Sequence, residues 1–200
     1  MEAAEYIAYL MSEPEKSSCV RSGAVVEVSH DEVNRFLNNG NFSGKDLFDK
    51  IRPAIDVTGG VLSVDDTVID KPFSNPDKTE LVGFFWSGRH HKSIKGINLI
   101  VLFYTDPHGV KVPVHMKVYR HGEKMTKNEY FQAMCREVWA WGLRPAFVSA
   151  DSWYSSLDNL KFLRDKEVGF LVGLEKNRIV STAPGQYQQV GEVAIPEQGL

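Results

Sequence analysis

Two consecutive glycines, Gly59 and Gly60, separate two hydrophobic periods, and that change limits the fold more than any other feature of the chain. Before them the pattern is helical. Ser29-His30-Asp31-Glu32 has the form of a capping box, and Val33, Phe36 and Leu37 follow on one helical face until Asn38-Asn39-Gly40. Ser43-Gly44-Lys45-Asp46 opens another short helix carrying Leu47, Phe48 and Ile51, which ends before Pro53. After the glycines the period is that of strands. Val61 to Val68 reads as a strand, and Ile97 to Tyr104 as a buried one. Val110 to Tyr119 alternates as a half-buried partner across the turn Asp106-Pro107-His108-Gly109. Pro72 to Gly96, between them, reads as an irregular polar segment.

A second capping box, Thr126-Lys127-Asn128-Glu129, opens a helix with Tyr130, Met134, Val138 and Trp141 on one face, stopped by Gly142 and Pro145. Phe147 to Ala150 is the next strand. A helix from Ser155 carries Leu157, Leu160 and Leu163, and Val168 to Leu174 is a last strand. The order is β-β-β-α-β-α-β. An antiparallel trio is extended through helical crossovers, which is the ribonuclease-H-like order of an α/β mixed sheet. Three regions are expected: a helical region 1–58 with possible DNA-binding function, a catalytic core 59–178, and a polar, turn-like region 179–200. The helices before Pro53 have two readings, a helix-turn-helix that reads DNA or plain packing.

In that order the first strand and the strand after the first crossover helix are neighbours. Asp66 lies at the end of the first apolar run and Asp151 directly after Ala150, 85 residues later. Carboxylates at adjacent strand ends can share Mg²⁺ or Mn²⁺, hard ions that need few protein oxygens and keep several waters. A shared ion of this kind suits phosphodiester chemistry. The competing explanation is turn chemistry, since Asp is common after strands. Asp65 competes with Asp66, but neighbours on a strand face opposite sides, and Asp66, the one preceding Thr67, is preferred.

The net charge of −3 hides a basic zone. Between Trp86 and Tyr130, eight Lys and Arg residues face three acidic ones. Among them are Arg89, Lys92, Lys95, Lys117 and Lys127, with His90, His91, His108, His115 and His121 interspersed. Such a zone steers a polyanion or is a solvated face between strands. His90-His91 lacks Cys partners for zinc and reads as a solvated or phosphate-facing pair. Ser152 has no Gly-x-Ser-x-Gly elbow, and no Gly-rich phosphate loop is present. Trp153 and Tyr154 read as packing residues or as a platform for an unpaired base. Cys19 and Cys135 have no metal-ligand spacing and fit a reducing, cytoplasmic setting. No membrane span or signal peptide is expected.

Several stretches resemble a bacterial insertion-sequence transposase with a DDE catalytic site, of the cut-and-paste group numbered four or its close relatives. They are Ser29 to Leu37, Val64 to Pro72, Lys95 to Leu99, Ala150 to Ser156 and Glu175-Lys176-Asn177-Arg178. The resemblance spans roughly residues 29–180 and implies several things. Asp66 and Asp151 would be the first two acids of the triad and the metal ligands. Lys176 and Arg178 would approach the DNA backbone. The partner would be double-stranded DNA, at element ends and target, and the full-length protein would be a homodimer. The activity would be strand cleavage followed by joining of the freed 3′-hydroxyl. The family's third acid is a Glu in a Tyr-x-x-Arg-x-x-x-Glu helix after a β-rich insertion, of which residues 179–200 would be the truncated start. Neither Glu175 nor Glu192 has that context, so the chain is expected to be an N-terminal fragment without the third acid. It would then bind DNA weakly and cut nothing by itself. The alternatives are a non-catalytic DNA-binding remnant that inhibits a full-length partner and, more distantly, a stand-alone ribonuclease-H-like nuclease.

Overall fold

The computed structural model describes residues 1–13, 17–120 and 122–194. His121 of the basic zone and the last six residues of the 179–200 region lie outside the described residues. The chain divides into two compact units, residues 1–43 and 44–200.

The first unit consists of α1 (Ala3–Ser12), α2 (Cys19–Val26) and α3 (His30–Asn39). Each start is chemically marked. Ser18 Oγ accepts from Arg21 N and Ser29 Oγ from Glu32 N, which satisfies amide hydrogens that a helix leaves free in its first turn. The reciprocal half of the box expected at Ser29 is replaced, because the Glu32 carboxylate takes the Met1 amino group at 2.6 Å. Tyr9 and Val33 are buried, and Tyr6 packs its ring against those of Tyr9 and Phe36.

The second unit opens with α4 (Gly44–Ile51), whose Phe48 is fully buried in the main core. The glycine pair then turns the chain into the sheet. Gly59 adopts φ +83°, a left-handed conformation natural to glycine. A side chain at Gly60 would meet Thr105 O at 2.3 Å and the Tyr104 ring, so the close approach that lets Gly60 N donate to Tyr104 Oη (3.0 Å) excludes any larger residue.

The main sheet has six strands: β1 (Val61–Asp70), β2 (Gly83–Ser87), β3 (Lys92–Thr105), β4 (Lys111–Tyr119), β5 (Phe147–Ala150) and β6 (Gly169–Val172). β3 is antiparallel to β1, and β2 and β4 pair with its two successive halves. β5 lies parallel to β1, and β6 parallel to β5. The crossovers are α5 (Lys127–Ala140) and α6 (Leu157–Asp165). This is the expected ribonuclease-H-like mixed sheet. The capping box that opens α5 forms in full: Glu129 N donates to Thr126 Oγ1, and the Glu129 carboxylate accepts from Thr126 N.

Two expectations need correction. The segment from Pro72 to Gly96 is not irregular throughout, because it contains β2 and the first half of β3. β2 escapes a reading by period because its outward residues, Phe84 and Trp86, are large aromatics left exposed. Its strand conformation comes from pairing with Lys92–Gly96. The last run also narrows to Gly169–Val172. Residues 179–194 then form a hairpin of β7 (Ile179–Ala183) and β8 (Gln186–Gln189) and a short 3-10 turn.

The core lies between the sheet and α5. Leu62, Val64, Ile100, Leu102 and Val148 meet Phe131, Met134, Cys135 and Val138, all less than one-tenth exposed. Each such buried aliphatic side chain contributes about 1.5–3 kcal/mol. The core holds β1 and β5 side by side, and Ser63 Oγ and Ser149 Oγ, 2.8 Å apart, bridge the pair.

Candidate active site

β1 and β5 pair in register from Val61 with Phe147 to Val64 with Ala150. Asp66 is two residues beyond the last pair on β1, and Asp151 is one beyond it on β5. The parallel pairing delivers both carboxylates to the same end of the sheet. They line one cavity of about 600 Å³, together with Asp65, Arg89, Lys127 and Trp153.

Asp66 shares a face of β1 with the core residues Leu62 and Val64, so its side chain points toward the side covered by α5. One oxygen, Oδ2, accepts from Asn98 Nδ2 at 2.9 Å and from Lys127 Nζ at 2.7 Å. Asn98 is fully buried on β3, next to Asp66 on the diagonal of the antiparallel ladder. Tyr154 is buried beside these acids. Burial first, and then the charges of Asp66, Asp151 and Asp65, push its phenol far above the ordinary range. Among the described residues its hydroxyl has no partner in hydrogen-bonding geometry. Asp65 is exposed and, although it alternates with Asp66 along β1, lines the same cavity; its Oδ1 accepts from Asp66 N.

Asp151 is held by less. It caps a single 3-10 turn, accepting from Trp153 N at 3.0 Å. Partial desolvation and the charges of Asp65 and Asp66 hold its carboxyl above the usual value, against the pull of the Trp153 and Tyr154 amides. Asp65 and Asp66 lie near enough to Asp151 for their charges to add to the effect of its burial. A cation between them would relieve their repulsion, and hard oxygen donors suit Mg²⁺ or Mn²⁺. Among the described residues no group of three or more His, Cys, Asp or Glu gathers to hold a metal.

The basic residues singled out in the sequence distribute unevenly. Arg89 lines the cavity, and Lys92 and Lys95 line an adjoining depression with Asp70 and His90. His90 Nε2 lies 3.2 Å from Asp70 Oδ2. Arg178 donates to Ser155 O and Oγ, which fixes it against the turn after Asp151. Lys176 is exposed. Lys117 is instead engaged elsewhere, donating to Glu137 Oε1 in a cluster with buried His115. Glu175 accepts from Ser152 Oγ at 2.6 Å, one residue along from Asp151.

Two participants were missed in the sequence. Asn98 is the single polar residue inside the run Ile97 to Phe103, and a polar group placed in a buried strand needs a partner, so the signal was present. In the sequence Lys127 reads only as one charge of a basic zone. Its contact spans 61 residues and follows from where α5 begins.

The family model described as DDE superfamily endonuclease matches residues 2–191. No curated protein matches the chain. Among solved structures, the chain is similar to one from the piggyBac transposase synaptic complex with hairpin DNA (14% identity, 87% of this chain and 41% of that one, TM-score 0.48). It is also similar to one from the Mos1 strand transfer complex (14%, 86% and 57%, 0.34). A third lies in the simian T-cell lymphotropic virus intasome in complex with PP2A regulatory subunit B56 gamma (12%, 62% and 35%, 0.32). The chain therefore spans between 35% and 57% of the length of these chains. Among the described residues no helix is long and apolar enough to cross a membrane.

Proposed function

The chain belongs to the DDE superfamily endonucleases, and from that premise we propose that it is a DNA transposase that cuts the ends of an insertion sequence and joins them to target DNA. The observation that carries this is the convergence of Asp66 and Asp151, 85 residues apart in sequence, on one cavity at the end of a parallel strand pair.

Asp66 and Asp151 are the residues that would hold Mg²⁺ or Mn²⁺. When bound, such ions lower the pKa of the attacking water or 3′-hydroxyl and stabilise the departing oxygen. The chain's own residues supply position. Arg89, Lys92 and Lys95 lie at the cavity and the depression beside it and neutralise backbone phosphates there, with Lys176 and Arg178 contributing from beyond β6. Phosphate contacts of this kind fix register and orientation without reading sequence. Lys117 contributes less, because Glu137 already neutralises it. A second ion needs further anionic ligands, so residues 1–200 by themselves are proposed to bind DNA without cutting it. The working form is a cytoplasmic homodimer on double-stranded DNA, with residues 1–58 contributing further DNA contacts.

The test uses the natural polypeptide that carries these residues, with duplex DNA from the flanks of its own coding region, in Mg²⁺ and separately in Mn²⁺. Strand cleavage is expected, and Asp66→Ala and Asp151→Ala are each expected to abolish it while DNA binding persists. Cleavage at the native rate by either variant would overturn the proposal.

A further inference from the structure

Lys127 is the first residue of α5, where the positive end of the helix dipole disfavours a cation. Its ammonium nevertheless sits 2.7 Å from Asp66 Oδ2, with the pair only 26% and 11% exposed at their side chains. Two aromatic rings flank it, with Nζ 5.8 Å from the centroids of both Tyr119 and Trp153. The neighbouring wall of the cavity carries Asp65 and Asp151. An ammonium in this position offsets the mutual repulsion of three carboxylates, which is the electrostatic task a divalent cation performs when it binds the same oxygens.

We propose that Lys127 is a resident counter-ion and positioning residue. Its ammonium occupies the seat on Asp66 that a divalent cation takes, and it withdraws across the Trp153 face when the cation arrives. The inference rests on Asp66 being a metal ligand. It adds that ion entry and Lys127 release are one exchange. The released ammonium is then free at the cavity for a phosphodiester oxygen of DNA, so metal and DNA strengthen each other's binding. Asn98, neutral and buried, keeps its hold on Asp66 throughout and preserves the orientation of the carboxylate.

The 200-residue chain is titrated with Mn²⁺ by calorimetry and with Mg²⁺ by tryptophan fluorescence, each variant first shown by thermal melting in chelator to be folded. Lys127→Met is expected to bind Mn²⁺ about tenfold more tightly than the native chain, equivalent to ~1.4 kcal/mol. Lys127→Arg keeps the positive charge and is expected to stay near native affinity. Should Lys127→Met fail to fold, Lys127→Gln carries the same expectation. The native chain is expected to change its emission as Mg²⁺ binds, and the change is expected to vanish in Lys127→Met and in Trp153→Phe. Asp66→Asn is expected to abolish binding with Lys127 present or replaced. Equal Mn²⁺ affinity in the native chain and Lys127→Met, with sensitivity to Asp66→Asn retained, overturns the counter-ion role and leaves Asp66 as a ligand. Binding indifferent to Asp66→Asn, or absent from every variant, overturns the ligand assignment and the counter-ion role with it.

Discussion

The two ends of α5 carry the same kind of chemistry in opposite settings. At its start Lys127 pairs with Asp66 beside an open cavity. Near its end Glu137 accepts from His115 Nε2 at 2.6 Å and from Lys117 Nζ at 2.5 Å, and the His115 side chain is only 3% exposed. At the second cluster α4 closes the site: a side chain at Gly44 would meet the His115 ring at 2.1 Å, so nothing larger than hydrogen fits between helix and imidazole. On the proposal made above, the ion pair at the cavity exchanges its partner for an incoming ion. At the second cluster only the imidazole is covered by the helix; the side chains of Lys117 and Glu137 are 33% and 38% exposed, and neither lines the cavity that holds Asp66 and Asp151. On that proposal the first cluster serves function, and the second, through buried His115, serves the fold; substitutions on each side test that division.

The largest effect is expected at the open end. Asp66→Ala and Asp151→Ala should each lower cleavage about a thousandfold or more, the several kcal/mol that positioned metal ions contribute to phosphoryl transfer. Asp151→Ala should leave the free energy of unfolding within about 1 kcal/mol of native, whereas Asp66→Ala also takes the acceptor from buried Asn98 and should cost about 1–2 kcal/mol. Cleavage assays alongside urea melts check both. A large loss of stability in Asp151→Ala would place the acids with the structural cluster and erase the contrast.

Next comes the closed end. Glu137→Ala removes the acceptor of both Lys117 and His115 and should cost about 1–2 kcal/mol, as expected when a buried group loses its hydrogen-bond partner. Urea denaturation measures it, and Mn²⁺ affinity should not move. An altered Mn²⁺ affinity would show that the two ends of α5 are coupled.

A smaller effect is expected from pH. Burial lowers the His115 pKa below its ordinary 6.5, against the opposing pull of Glu137. The folded imidazole therefore resists protonation while the unfolded one accepts a proton near 6.5. Stability is complete above that pH and falls as pH drops through it, because the unfolded state then binds more protons. The Glu137 carboxyl, lowered by Lys117 and His115 against desolvation, acts at and below 4.5 and leaves this window clear. His115→Gln should flatten the pH dependence of the melting temperature between about pH 7 and 5.5. A slope unchanged in the variant would assign it to another group.

The smallest expected change is in the stability of Lys127→Met. A partly exposed pair contributes about 1 kcal/mol or less, so the melting temperature in chelator should barely move. A loss as large as that of Glu137→Ala would make both ends of α5 structural.

Much of this frame is legible in the sequence because it rests on local chemistry. Gly59-Gly60, the capping box at Thr126 and the apolar runs at Val61, Ile97 and Phe147 specify element types within a few residues. Their order implies that β1 and β5 are neighbours, as they are, and so that the strand-end residues Asp66 and Asp151 lie at one end of the sheet. β2 was not legible, because its backbone conformation depends on a partner strand and its exposed aromatics disguise its two faces.

Charge was the least legible property. Lys117 and Lys127 are indistinguishable as letters in one basic zone, yet the fold ties Lys117 to Glu137 and brings Lys127 to Asp66. Both contacts depend on where α5 lies against the sheet. The residue types, the period changes and the order of strands were determined by the sequence alone, because backbone preference and hydrophobic spacing act over a few residues. Only the tertiary structure decided which charges meet, because an ion pair forms over about 3–4 Å and that distance is settled by the packing of whole elements.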